Sequence, residues 1–222
     1  MNSIIITGAG SGLGKELALL YGQKGYHIIL AGRKIEKLKP VEEQITSQKG
    51  KATSLPVDVT VPSEIKLLMA DVSSRFNLYG LINNAGLGMF GPFEQSTPEK
   101  IEQMFEVNVF GTIHMTQAFL QEVKEGFIMN IISTAGLIGK TNEAGYCASK
   151  FAVRGLTESL QKEYEASNIQ VKAVYMGGMD TPFWDHSDHI KDKSRLQSPA
   201  KIAEIIWENM DKDTIIIENN KP

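Results

Sequence analysis

Tyr146 and Lys150 are the residues of this chain best placed by type and spacing to move a proton. Positions four apart lie one turn apart on the same helix face, so a lysine ammonium there sits beside the phenol. A nearby cation favours phenolate and is expected to lower a tyrosine pKa from about 10 by roughly 1–3 units. Tyr146 would then be a usable acid or base near neutrality. Ser133 ends the predicted strand Gly126 to Ile132, just ahead of the Tyr146 helix. Cys147 points off the Tyr/Lys face and is given no role. Asn108 falls on an apolar stripe of a long helix opening at Thr97-Pro98-Glu99, with Thr97 as N-cap and Pro98 at the first helical position. Asparagine is a weak helix former that competes for backbone hydrogen bonds, so it is out of character there unless it serves a site or is an ordinary satisfied amide.

A second chemistry resides in Ser3 to Gly14, where Ile4, Ile5 and Ile6 are followed by four glycines. The run reads as a strand buried on both faces, and Leu13, Leu17, Leu20 and Tyr21 then recur at helical spacing. The glycines thus form a strand-to-helix turn whose free N–H groups make an anion site. The strict Gly-x-Gly-x-x-Gly fingerprint fails, since Leu13 or Lys15 would have to be glycine. The phosphate loop of nucleotide hydrolases fails too, with Ala9 at its first glycine and Glu16 at its Ser/Thr. Asp185, His186, Asp188 and His189 lie on a polar loop from Thr181 to Leu196 without rigid ligand spacing, and no metal is expected there.

The elements that carry these residues alternate along the whole chain. Predicted strands are Tyr26 to Ala31, Ala52 to Val57, Gly80 to Ile82, Gly126 to Ile132, Gln170 to Tyr175 and Thr214 to Glu218, after the first at Ile4 to Ile6. Helices fall between them, including one from Ser63 to Arg75 and one opening at Ser198-Pro199. Strands alternating with helices call for a parallel sheet covered on both faces, here about seven strands in one domain spanning 1–222. A net charge of −3 argues against a nucleic-acid partner. Cys147 is the single cysteine, which excludes an internal disulfide. No apolar run approaches the roughly 18 residues of a membrane span and no signal peptide is visible, so a cytoplasmic location is expected.

Taken together, the motifs resemble those of the classical short-chain dehydrogenases/reductases. Thr7-Gly8-x-x-x-Gly12-x-Gly14 is similar to that family's cofactor motif, and Asn83-Asn84-Ala85-Gly86 matches its second signature. Val107-Asn108-Val109-Phe110-Gly111 and Tyr146-Cys147-Ala148-Ser149-Lys150 match two more. The resemblance covers nearly the whole chain. It implies an α/β Rossmann domain, doubly wound, and a nicotinamide cofactor held at Gly8, Ser11, Gly12, Leu13 and Gly14. It further implies cofactor contacts at Asn84, Ala85, Gly86, Gly177 and Thr181, besides Tyr146 and Lys150. Met176 stands where the family usually has proline, which leaves the nicotinamide-side loop less firmly held. Asp58 matches an aspartate that hydrogen-bonds adenine, and it reads equally as a helix N-cap.

At the end of the second strand the sequence is Gly32-Arg33-Lys34, with no acid to bond the adenosine ribose of NAD. An arginine binds phosphate bidentately, so NADP(H) is preferred over NAD(H). Arg33 reads alternatively as a cap on a solvent face, with Lys34 or Ser11 then reading the phosphate. By the resemblance, Asn108, Ser133, Tyr146 and Lys150 form the catalytic set, with Asn108 holding a water that relays protons. The implied reaction is reduction of a small-molecule carbonyl compound. A non-catalytic NADP(H) sensor and a reductase of carrier-protein-bound 3-oxoacyl thioesters are the other readings, and Lys191, Lys193 and Arg195 are a thin docking candidate for the latter. The family pairs its subunits through the helices carrying Asn108 and Tyr146, so a homodimer or homotetramer is expected; a single deep core explains those apolar faces equally well. The chain stops soon after its last predicted strand, and the pocket is expected to be open.

Overall fold

In the computed structural model, which describes residues 1–185, 187, 189, 190, 192, 194 and 196–217, the three isoleucines form the centre of β1 (Asn2–Thr7) and are fully buried. Side chains alternate across a strand, so Ile4 and Ile6 face one layer and Ile5 the other. Ile4 and Ile6 pack with Leu13 and Leu17 of α1 (Gly12–Gln23), Leu38 of α2 (Ile35–Ser47) and Ile202 of α7 (Pro199–Glu208). Ile5 packs with Ile65 of α3 (Pro62–Arg75) and with Met115 and Phe119 of α5 (Gly111–Glu122). A run apolar at every position is thereby accounted for: both faces of the strand are core.

Six further strands complete the sheet: β2 (His27–Gly32), β3 (Lys51–Pro56), β4 (Asn77–Asn83), β5 (Gly126–Ile131), β6 (Ile169–Met176) and β7 (Thr214–Ile217). Their order is β3-β2-β1-β4-β5-β6-β7, and every pair is parallel. The chain runs outward from β1 to β3, then crosses back to β4 on the other side of β1. Loops leaving β1 and β4 therefore diverge and open a crevice at the carboxyl ends of the strands, where open α/β sheets bind ligands. This is the doubly wound Rossmann arrangement expected from the sequence. β4 is longer than its predicted apolar centre because Asn77 and Leu78 pair with Asn2 and Ser3.

The long helix opening at Thr97 departs more from expectation. It is interrupted: α4 (Pro98–Phe105) passes into a wide turn at Glu106–Phe110 before α5 continues. Such a turn inserts an extra residue and swings side chains off the regular stripe. Asn108 lies within it and is almost wholly buried. Thr97 holds the N-cap position without a side-chain capping bond. Tyr146 and Lys150 lie in the opening turns of α6 (Ala144–Glu163), as predicted. Among the described residues no helix is long and apolar enough to cross a membrane.

Candidate active site

A cavity of about 1240 Å³ runs along the crevice, from Arg33 and Asp58 beside β2 and β3 to Tyr146, Phe183 and His189 beyond β5 and β6. Its first half is made chiefly of backbone. Gly8 (φ 66°) and Gly12 (φ 52°) take the left-handed conformation that glycine adopts without strain. A Cβ on Gly8 would lie 3.1 Å from the Ala85 Cα, and one on Gly12 3.1 Å from the Thr181 Cγ2. Asn84 closes this side by donating from Nδ2 to the Thr7 carbonyl at 2.9 Å, while the Thr7 hydroxyl accepts from the Asn84 and Ala85 N–H groups at 3.0 Å each. Asn83 turns the other way and donates to Asn130 Oδ1 at 2.9 Å and Thr116 Oγ1 at 3.0 Å. The two asparagines thus tie the end of β4 to β1 on one side and to β5 on the other.

Of the expected cofactor residues, Gly8, Ser11, Gly12, Leu13 and Arg33 line the cavity, as do Asp58, Asn84, Ala85, Gly86, Gly177 and Thr181. Gly14 does not line it but packs directly behind, against the Gly8 carbonyl and the Asn84 amide. Lys34 is a correction: it occupies the position preceding α2 and does not line the cavity, whereas Lys37 does. Lys37 sits in the first turn of α2, where a Cβ on Gly10 would lie 2.9 Å from the Lys37 Cβ. The N-cap reading of Asp58 is also corrected. Val61 precedes α3, and the Asp58 carboxylate instead accepts from the Thr60 N–H at 2.9 Å and hydroxyl at 2.8 Å. Met176 is the buried end of β6, paired in register with Ile217, so the strand ladder holds it where proline would have fixed φ.

The second half is made of side chains brought from several elements. Ser133, Tyr146 and Lys150 line the cavity together. The Ser133 hydroxyl is hydrogen-bonded to the Tyr146 phenol and also accepts from the Ala135 N–H at 3.2 Å. Lys150 donates from Nζ to the Ile131 carbonyl at 3.2 Å, and Nζ stands 5.7 Å from the centre of the Tyr146 ring. Burial of the ammonium lowers the Lys150 pKa to about 8.

Tyr146 does not behave as its spacing to Lys150 predicts. Burial pushes its pKa up, the Ser133 hydrogen bond pulls it partly back, and the Glu143 carboxylate raises it further. Desolvation of a phenolate in the core outweighs a cation that is itself costly to charge. Asn108 stands behind this group with one lone pair of Oδ1 left over: Oδ1 accepts from the Leu87 N–H at 2.8 Å, and Nδ2 donates to the Leu87 carbonyl at 2.8 Å and to Ser149 Oγ at 3.0 Å. Ser149 in turn donates to the Tyr146 carbonyl at 2.7 Å. A Cβ on Gly86 would sit 3.6 Å from Asn108 Oδ1 and 3.8 Å from Lys150 Nζ, so the bare glycine faces both.

The family model described as short chain dehydrogenase matches residues 2–191. The chain belongs to that family. As a short-chain dehydrogenase it is an NAD(P)(H)-dependent oxidoreductase. It is 32% identical to a cyclohexanol dehydrogenase of Acinetobacter sp. (strain SE19), over 91% of this chain and 84% of that protein. The alcohol dehydrogenase of the archaeon Thermococcus sibiricus, solved with 5-hydroxy-NADP, shares the fold with a TM-score of 0.89 at 24% identity, covering 100% of this chain and 99% of that one. A short-chain dehydrogenase/reductase of Burkholderia phymatum, solved with NAD, gives 0.90 at 22% identity over 99% and 89% of the two chains.

This dehydrogenase carries, beyond Tyr146, a wall that the sequence reading takes for a polar loop. Phe183, Trp184 and His189 line the cavity there, and Trp184 donates from Nε1 to the Met179 carbonyl at 3.0 Å. His189 Nε2 lies 2.9 Å from Glu143 Oε1, so it pairs with a residue just ahead of Tyr146. No sequence spacing joins positions 143 and 189; aromatic residues following Thr181 are the signal that could have been used. His186, Asp188, Lys191, Lys193 and Arg195 lie outside the described residues, as does Glu218.

Proposed function

We propose that the chain, as one domain over residues 1–222, is an NADP(H)-preferring carbonyl reductase. The observation that carries this reading is the convergence of Ser133, Tyr146 and Lys150 on a cavity whose far end presents Arg33 and Lys37. No carboxylate ends β2, so a ribose phosphate there meets two cations and no adjacent acid on that strand. The glycine cradle fits a dinucleotide: at Gly8 and Gly12 a side chain would fill the space against Ala85 and Thr181. Thermococcus sibiricus alcohol dehydrogenase, with its NADP derivative, supports that cofactor by analogy.

When bound, the nicotinamide supplies the hydride. The carbonyl oxygen is held between the Ser133 and Tyr146 hydroxyls, which polarise it. Tyr146, kept protonated by burial, donates its proton as the alkoxide forms. The Lys150 ammonium stabilises the phenolate left behind and is placed to hold the nicotinamide ribose. Asn108 fixes the Leu87 loop and, through Ser149, the first turn of α6, and supports the water that returns a proton to Tyr146. A sensor on this fold has no need of these four residues. Exposed Phe110 and Phe151, beside Asn108 and on α6, support pairing of two or four copies through those helices.

The test is oxidation of NADPH, and separately NADH, with a panel of aldehydes, ketones, diketones and an acyl thioester. Faster turnover with NADPH and a simple carbonyl compound is the expected result. Tight NADPH binding with no oxidation in the presence of any of them would overturn the reading in favour of a sensor.

A further inference from the structure

Beside the Tyr146 ring the cavity is lined by Phe183 and Trp184, and Phe90 packs behind them. Phe90 meets the Tyr146 ring edge to face, with centroids 5.4 Å apart at 73°. Phe183 lies 5.9 Å from the same ring and crosses Trp184 at 5.0 Å and 84°. On its other side Phe90 stacks against His189 at 4.7 Å and 18°. Any group bonded to a carbonyl carbon at Tyr146 therefore emerges beside aromatic carbon.

Two polar groups near these rings are already paired. His189 is held by Glu143 at 2.9 Å, and Lys140 donates from Nζ to Thr134 Oγ1 at 2.9 Å. A polyhydroxylated substrate would compete with these pairs, and an anionic one would face the Glu143 carboxylate. Aromatic pairs in offset or edge-to-face contact gain attraction beyond the area they bury, which a saturated chain does not. A rigid ring also loses less conformational freedom on binding than a chain of equal carbon count.

We propose that the substrates are aryl aldehydes and aryl ketones, selected by the cavity-lining rings of Phe183 and Trp184, with Phe90 packed behind them. The proposal rests on the carbonyl-reductase reading and narrows its substrate class.

Turnover of acetophenone and of 2-octanone, which have equal carbon counts, tests it under saturating NADPH. The expected kcat/KM favours acetophenone by about tenfold, in proportion to the extra attraction of two aromatic contacts. Phe183→Leu keeps the wall apolar and should collapse that ratio severalfold. Equal values, a preference for 2-octanone, or a ratio unchanged in Phe183→Leu would each overturn ring selection while leaving the reductase reading intact. Should neither ketone be reduced, calorimetric titration of the NADPH-loaded protein decides. Saturable acetophenone binding that Phe183→Leu weakens supports the ring wall and counts against the reductase reading alone; no binding, or equal binding of both ketones, overturns the ring wall too.

Discussion

The two halves of the cavity both place residues at positive φ, one with glycines and the other with a serine. In the nucleotide half, Gly8 and Gly12 take positive φ, and no side chain is asked of either position. In the catalytic half, Ser133 takes φ 111°, a conformation that costs a non-glycine residue about 1–3 kcal/mol. The difference follows from what each half must supply. A phosphate cradle uses backbone N–H groups and close approach, so glycine does the whole job. The proposed carbonyl site needs a hydroxyl beside Tyr146, so strain is tolerated where a side chain is indispensable. One half can be perturbed by adding atoms, the other by removing them.

Removing the phenolic oxygen separates the halves most sharply. Tyr146→Phe keeps the ring contacts with Phe90 and Phe183 and deletes the proposed proton donor. General acid catalysis contributes about 10²–10⁴-fold, so reduction is expected to fall by about 10³-fold or more. NADPH affinity, measured by fluorescence titration, should be nearly unchanged because the glycine cradle is untouched. An active Tyr146→Phe enzyme would assign the proton to another group.

Reversing one charge acts on the nucleotide half alone. Arg33→Asp replaces a cation that lines the cavity with the carboxylate missing from the end of β2. A hydrogen bond to a charged group is worth about 1.5–3 kcal/mol, so the ratio of kcat/KM for NADPH over NADH should drop by about 10–100-fold and invert. Turnover with saturating NADH should hold, since Ser133, Tyr146 and Lys150 are unaltered. If NADPH is still preferred, Lys37 reads the phosphate, and Lys37→Ala in the same background would then lower the ratio.

The same asymmetry governs what the sequence discloses. Glycine spacing and the apolar β1 run are local, and they mark the strand-to-helix turn that lines the cavity without any tertiary information. Tyr146 and Lys150 were legible for the same reason, being one turn apart. Their electrostatics were not: spacing says that a cation is near, but only packing shows that both groups are desolvated and that Glu143 adds an opposing field. Lys37 replaced Lys34 because the side chain that faces the cavity depends on where α2 begins. The Glu143–His189 pair and the ring wall join segments far apart in the chain, and no periodicity encodes them. The wide turn at Asn108 was half visible, as an amide out of place on an apolar stripe.

A methyl group added to Gly14 tests how tightly the cradle is packed. Its Cβ would collide with the Gly8 carbonyl and stand 2.5 Å from Asn84 Nδ2, and neither atom is the free end of a flexible side chain. Overpacking of this kind costs about 1–3 kcal/mol, and because it displaces Asn84 it should weaken NADPH binding as well as lower the melting temperature. Gly14→Ala with unchanged stability and affinity would show that the β1–α1 turn has slack, and the contrast between a rigid backbone half and a side-chain half would lose its basis.

Ser133 offers the smallest effect and the most direct comparison of the two strategies. Both Ser133→Ala and Ser133→Gly delete the hydroxyl that bonds Tyr146, so both should lose activity to a similar degree. They differ in backbone: alanine inherits the strain of φ 111°, and glycine does not. Glycine's greater freedom in the unfolded chain works against it by about 0.4–1 kcal/mol, less than the strain relieved. Chemical denaturation should therefore find Ser133→Gly more stable than Ser133→Ala by about 1 kcal/mol, at equal loss of turnover. The opposite order would mean that the end of β5 relaxes to negative φ once the hydroxyl is gone, so that the serine side chain itself, through its bonds to Tyr146 and the Ala135 N–H, holds the backbone in place.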